Sequence, residues 1–386
     1  MEASSPEVAQ SDRSRRWAAT MTGHEGPGVR TAHVDTHAGL GGGSLTPMGR
    51  EEREEAEDAT MVPGATRASG AGRRAAAEGP DPQRTCFERD RDRILHSAAF
   101  RRLSGKTQVF IFPADHQRTR LTHALEVAQV ATGMARALRL NLALTEAIAL
   151  GHDCGHGPGG HASEDALGIF VPGGYDHAVW GAKVSLAGLN LCAETLDGIR
   201  NHSWSRPAPA TPEGEIVSWA DRIAYVCHDW EDAVSAGIVT PALLPEVVRD
   251  RCGAGRSSQL GAFIGSVVAT TLASERIGMG DDLAEALAEF RRCNYEHVYL
   301  RPTSVRQGEA VVAVLRALVG LFADQPNRIP DVRAGGGLAG GSDEAVHAAV
   351  GYVAGMTDRF AMALAVSELG WDPQRLPRGV DDFHRS

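Results

Sequence analysis

Four side chains of metal-binding type stand where a purely structural role is strained: His123, His152, Asp153 and Asp221. His123 lies in LTHALEVAQVA, where apolar residues recur every three or four positions, and His152-Asp153 directly follows an apolar run over 144–150. A carboxylate placed there must be paired, hydrogen-bonded or metal-bound, because an isolated buried charge is too costly. Two imidazoles and two carboxylates form a mixed nitrogen and oxygen set that suits Mn, Fe, Co, Ni or Zn, and Mg less comfortably. A divalent ion held this way polarises phosphoryl oxygens or lowers the pKa of a bound water toward neutrality, which is hydrolytic chemistry.

The stretch HDCGHGPGGHASE sets three histidines and two acids within thirteen residues. His161 and Glu164 are three apart at the start of an expected helix, so they share a face and the carboxylate can orient the imidazole as a general acid/base dyad. The intervening glycines let a polyphosphate approach the backbone closely.

Rigid carriers for these groups are legible as helices. Three- and four-residue periodicity predicts helices over 121–138 and 144–150, the second ending at Gly151, a glycine-rich loop over 155–160, and a helix over 162–170. Further helices are predicted over 184–202, 215–236, 243–248, 259–273, 281–294, 305–323 and 342–369, with a longer loop at Pro326, Pro330 and the glycines of 335–341. β-branched alternation is scarce and no repeat or βαβ pattern occurs, so the fold class is all-α, with one domain from 84 to 386. Its metal-binding core is expected over about 96–235 and a C-terminal helical part over about 236–386. Residues 1–83, rich in Gly, Ala, Ser, Thr, Arg and Glu with few large apolar side chains, are expected to form a disordered low-complexity extension.

A net charge of −10 argues against a protein that coats nucleic acid. The six cysteines form no CxxC pair, which fits a reduced compartment and excludes a cysteine zinc site. No apolar stretch approaches the roughly 18 residues of a membrane span and no signal peptide is evident, so the expectation is a cytoplasmic protein without membrane partners.

The run from Arg84 to Asp165, with FERDRDRILHSAAFRRLSGKTQVF, HQRTRLTHALEVAQVA and LTEAIALGHDCGHGPGGHASEDA, resembles the bacterial deoxyguanosine triphosphate triphosphohydrolase (dGTPase) family of the HD superfamily. GGYDHA, LNLCAETLDGIRNHSW, VSWADRIAYVCHDWEDAVSAGI, NYEHVY and YVAGMTDRFA extend the resemblance over nearly all of 84–370. It implies an HD-domain helical fold and metal-dependent hydrolysis of dGTP or several deoxynucleoside triphosphates to deoxynucleoside and inorganic triphosphate. His123, His152, Asp153 and Asp221 match the family's metal ligands, and His161 with Glu164 its catalytic pair beside the α-phosphate. His156 and His177 match histidines that contact phosphates, and Arg120 a phosphate-binding arginine. Gln108, Tyr225 and Asp229 match positions that hold the sugar, while Arg222 stands where many members carry Lys and can meet the triphosphate.

Homo-oligomers are implied as well. The basic cluster of Arg89, Arg91, Arg93, Arg101, Arg102 and Lys106 reads either as a solvated helix face balanced by Glu88, Asp90 and Asp92 or, since the resemblance places this region near nucleotide and subunit contacts, as a site for substrate, an activating nucleotide or single-stranded DNA. Departures from the family pattern are Gly159, where a bulkier residue is usual and whose smallness predicts a looser pocket floor, and Ala178-Val179-Trp180-Gly181-Ala182-Lys183, which replaces a more polar run. The competing readings are an HD phosphohydrolase of a nucleoside monophosphate or cyclic nucleotide, and a nucleotide-binding regulator whose catalysis has decayed.

Overall fold

The computed structural model describes residues 11–26, 28–37, 39–40, 46–113, 117–377 and 379. Internal contacts separate a unit ending at Pro47 from one that begins at Met48. The first holds α1 (Asp12–Ala19), whose N-cap Ser11 accepts from Ser14 N, and an antiparallel hairpin of β1 (His24–Gly26) and β2 (Val29–Thr31). Residues 1–10 of the expected extension lie outside the described residues.

The second unit starts well before residue 84, which corrects the expected boundary of the disordered extension. α2 (Arg50–Thr60) is followed by a segment that inserts Ala65 and Ala68 into the core. Thr66 donates to Glu213 from both N (3.0 Å) and Oγ1 (2.7 Å), and Arg74 Nη1 reaches the buried Asp90 at 2.6 Å. Small residues and arginines make these contacts, so the segment carries little of the apolar signal by which a core is read from sequence.

All other elements among the described residues are helical, in keeping with the all-α class, and a short helix over Pro330–Ala334 falls in the stretch expected to be a loop. α3 (Cys86–His96) opens with a capping box between Thr85 and Glu88, and α4 (Ala98–Arg102) follows. α5 (Arg120–Leu138) and α6 (Leu142–Gly151) pack as an antiparallel pair whose turn runs through Arg139 in the left-handed region. Then come α7 (Ala162–Leu167), α8 (His177–Trp180), α9 (Ala193–Asn201) and α10 (Pro212–Ser235), the last started by Thr211 at the N-cap and Pro212 behind it. The C-terminal part adds α11 (Glu246–Cys252), α12 (Arg256–Ser274), α13 (Asp281–Asn294), α14 (Pro302–Asp324), α15 (Pro330–Ala334), α16 (Asp343–Ala354) and α17 (Asp358–Leu369).

Two predicted helices are broken. The 184–202 segment turns at Asn190, φ 52°, because Asp90 takes Cys192 N at 2.8 Å and Thr195 Oγ1 at 2.7 Å and pulls the chain out of helical register before α9. The 342–369 segment is interrupted after α16, with Thr357 as the N-cap of α17. One apolar cluster joins α3, α5, α6 and α10 to α11, α12 and α13. A second joins α7, Tyr175 and Trp180 to α14, α16 and α17. The packing therefore divides near residue 300, and α7 sides with the C-terminal helices, in place of a division at 236. Among the described residues no helix is long and apolar enough to cross a membrane.

Candidate metal centre and cavity

The first turn of α5, the C-terminal end of α6 and the middle of α10 meet at one point. Arg120 and His123 both face inward from α5 and are buried. His152 is the C-cap of α6; its Nδ1 lies 2.6 Å from Ala149 O, so Nδ1–H donates and Nε2 keeps its lone pair. Asp221 enters from α10.

His123 Nε2 is 3.0 Å from Asp221 Oδ1 and 4.0 Å from Asp153 Oδ2, and His152 Nε2 is 3.6 Å from Asp153 Oδ1 and 3.7 Å from Asp221 Oδ1. Neighbouring ligands of one ion sit at such separations when each is about 2.0–2.2 Å from it. His152 Nε2 is buried without a hydrogen-bond partner, an atom that a cation would satisfy. Burial disfavours the ionised form of Asp153, yet Arg120 and the histidines outweigh it and hold the carboxyl well below its ordinary range. Asp221 is held low against the same desolvation, chiefly by His123. The four predicted ligands thus lie around His152, where the groups His123-His152-Asp153 and His152-His202-Asp221 could each hold a divalent ion.

Arg120 is less free than the resemblance implies. Its Nη1 pairs with Asp153 Oδ2 at 2.6 Å, while Nε and Nη2 are buried and unpaired. A Cβ on Gly160, φ 64°, would come within 2.9 Å of Nη2, so glycine there keeps that edge of the guanidinium clear.

The expected dyad is rearranged. Glu164 does not orient His161; its Oε1 accepts from His177 N at 3.0 Å and lies 2.5 Å from His177 Nδ1. The first-turn carboxylate of α7 points at the start of α8, whereas His161 is the N-cap residue and opens onto the cavity. Burial opposes charge on both partners, but the contact overrides it, lowering Glu164 to about 2 and raising His177. His161 is pushed down to about 4 by desolvation and then by the charges of Arg120 and His177. His156 stacks on His177 with ring centres 3.7 Å apart and sets Nε2 3.1 Å from Asp153 Oδ1.

Close backbone approach makes this possible. A Cβ on Gly155 would lie 1.9 Å from His177 O and 2.4 Å from Gly181 N, so only glycine lets the loop press against α8. Tyr175 OH donates to Gly155 O at 2.6 Å. At Gly159, φ 74°, the space of a side chain is filled by Val311 of α14 and the N–H donates to Asp358 Oδ1 at 2.9 Å. The floor there is closed by a different element, contrary to the looser pocket expected.

Above the cluster is a cavity of about 430 Å³. Gln108 lines it with a buried, unpaired Oε1. Arg222 lies over the Trp204 ring at 3.8 Å, and Tyr225 OH accepts from Arg291 Nε at 2.7 Å. Asp229 accepts from Tyr299 OH at 2.5 Å and pairs with Arg118. Sequence reasoning missed His202, Trp204, Arg291, Tyr295 and Tyr299, all on the cavity wall. The last three are four residues apart, a helical stripe that was available as a signal. The basic cluster stands elsewhere: Arg89 and Arg93 pair with Glu78, Arg91 with Asp92, and the buried Lys106 Nζ donates to His156 O and Ala354 O.

Residues 120–226 match the HD domain family and residues 277–366 the phosphohydrolase-associated domain. A deoxyguanosinetriphosphate triphosphohydrolase-like protein of Caldanaerobacter subterraneus subsp. tengcongensis is 40% identical over 320 residues, covering 81% of this chain and 93% of the relative. One from Clostridium perfringens strain 13 is 39% identical over 300 residues, 73% of this chain and 86% of its own. The chain belongs to the deoxyguanosinetriphosphate triphosphohydrolase-like family.

Both matched segments build the cavity. The HD match spans all four candidate ligands and Tyr225, and the phosphohydrolase-associated match supplies Arg291, Tyr295, Tyr299 and the residues that close the floor, Val311 and Asp358. The unusual run 178–183 points away: Trp180 packs on Tyr175 and His347 at ring distances of 4.9 and 5.4 Å.

Proposed function

We propose that the protein hydrolyses deoxynucleoside triphosphates, dGTP or several of them, to the deoxynucleoside and inorganic triphosphate. The observation that carries this reading is the convergence of His123, His152, Asp153 and Asp221, with the orphaned His152 Nε2 among them, beneath a cavity walled by arginines and tyrosines. The names of the relatives point the same way. A divalent ion held by those four residues would polarise the α-phosphate and acidify the attacking water.

Water adds to the α-phosphorus, the bond to O5′ breaks, and O5′ leaves with a proton. His177 supplies that proton from Nε2, because Glu164 holds Nδ1 and favours the protonated ring. His161, neutral at physiological pH, opens onto the same space and can hold the water at a ring nitrogen. Arg222, Arg291 and the free edge of Arg120 offer charge to the triphosphate, while Gln108, Tyr225 and Asp229 bear on the sugar.

Purified protein with Mn, Mg or Co should release inorganic triphosphate and deoxynucleoside from deoxynucleoside triphosphates, resolved chromatographically. Assays of single and mixed nucleotides also test for an activating nucleotide. Release of orthophosphate or pyrophosphate in place of triphosphate rejects the reading. Tyr225 crowds the 2′ side of the sugar in this scheme, so GTP should be turned over far more slowly than dGTP; equal rates remove that role from Tyr225.

A further inference from the structure

His202 closes α9 as His152 closes α6. Each is the C-cap residue of its helix, and each donates Nδ1–H to the carbonyl three residues back, His152 to Ala149 O at 2.6 Å and His202 to Ile199 O at 2.8 Å. That lock leaves both Nε2 atoms with lone pairs, the tautomer in which imidazole binds a metal. The two buried rings meet edge to face at 4.9 Å. A nitrogen of each and a carboxylate oxygen of Asp221 all lie within 4.8 Å of one another. Two helix C-termini, the negative ends of their dipoles, thus abut the carboxylates of Asp153 and Asp221, and a cation among them relieves all four.

From this geometry we propose that His202 is a further protein donor to the metal centre, added to His123, His152, Asp153 and Asp221. The inference rests on the metal-centre reading above. In the arrangement described, His202 Nε2 faces His177 Nε2 at 3.2 Å, and Glu164 already engages Nδ1 of His177. A proton between the facing nitrogens therefore belongs to His177. With the His202 lone pair given to an ion, the His177 N–H would lose this acceptor and would be left to face the cavity.

The test is a Co²⁺ titration of the metal-stripped full-length protein, read by visible absorption and calorimetry, for wild type, His202→Ala, His202→Gln and His123→Ala. Loss of His202 should weaken Co²⁺ binding by at least about ten-fold and change the d–d bands, whereas a purely structural role would lower Tm and leave the bands alone. Electron spin-echo modulation of the Cu²⁺-loaded wild type, which depends on no variant folding, should count three coupled imidazoles. Two imidazoles, or wild-type affinity and bands in a folded His202 variant, overturn the proposal. Wild-type Co²⁺ binding by His123→Ala sinks the metal centre itself, a failure distinct from that of His202 alone.

Discussion

At the scale of single residues, Asp153 has two dependants, the candidate ion and Arg120. His123→Ala should strip the metal and leave the Arg120–Asp153 pair intact. Asp153→Ala should strip the metal and also strand a buried guanidinium, at a cost of about 3–5 kcal/mol. Elemental analysis with thermal denaturation separates the two; full metal occupancy in both variants refutes the ligand assignment. The Glu164–His177 contact gives a second prediction. Glu164→Gln and His177→Ala should each lower kcat by roughly 10²–10⁴, and the double variant should be no slower than the worse single one, because the two act as a unit. Wild-type turnover in Glu164→Gln would remove the pair from the mechanism. The metal set was legible in the sequence because few environments tolerate an acid after an apolar helix. The partner of Glu164 was not, since it depends on where α8 begins, thirteen residues further along the chain.

Among the elements, the long helices were legible from their periodicity, and their interruptions were not. The helical runs break at Asn190, beyond which Asp90 takes the amide of Cys192, and at Thr357, where α17 starts anew, features that leave no period in the sequence. Gly155 shows how strongly one position can set the spacing of elements. A methyl group there meets the carbonyl of His177 and the amide of Gly181, both backbone atoms that cannot rotate away. Gly155→Ala should therefore push α8 off the loop, lower stability by about 1–3 kcal/mol as overpacked sites do, and reduce turnover through His177. Denaturant unfolding and steady-state kinetics check both effects. An alanine variant with wild-type kcat would mean that the contact between loop and helix does not position the imidazole.

Over the whole of the second unit, the segment before α3 is held by charge more than by apolar burial, which is why composition hid it. Glu78 is the joint. It lies 2.9 Å from Arg74 Nε, 2.9 Å from Arg89 Nη2 and 2.6 Å from Arg93 Nη2, and Arg93 also donates to Leu189 O and Asn190 O beyond it. The Arg93 hydrogen bond is the largest cause that lowers the Glu78 carboxyl from 4.5 to about 2. A depressed carboxylate contributes stability that is fully present above its ordinary pKa and is lost as pH falls toward the folded-state value. The gap in urea midpoint between wild type and Glu78→Gln should thus be constant from neutral pH down to about 4.5 and should narrow below it. Glu78 and Arg93 keep some solvent contact, so added salt should shrink the gap at neutral pH as well. A gap that stays open or widens as the solution is acidified would show that Glu78 is not what ties this segment to α3.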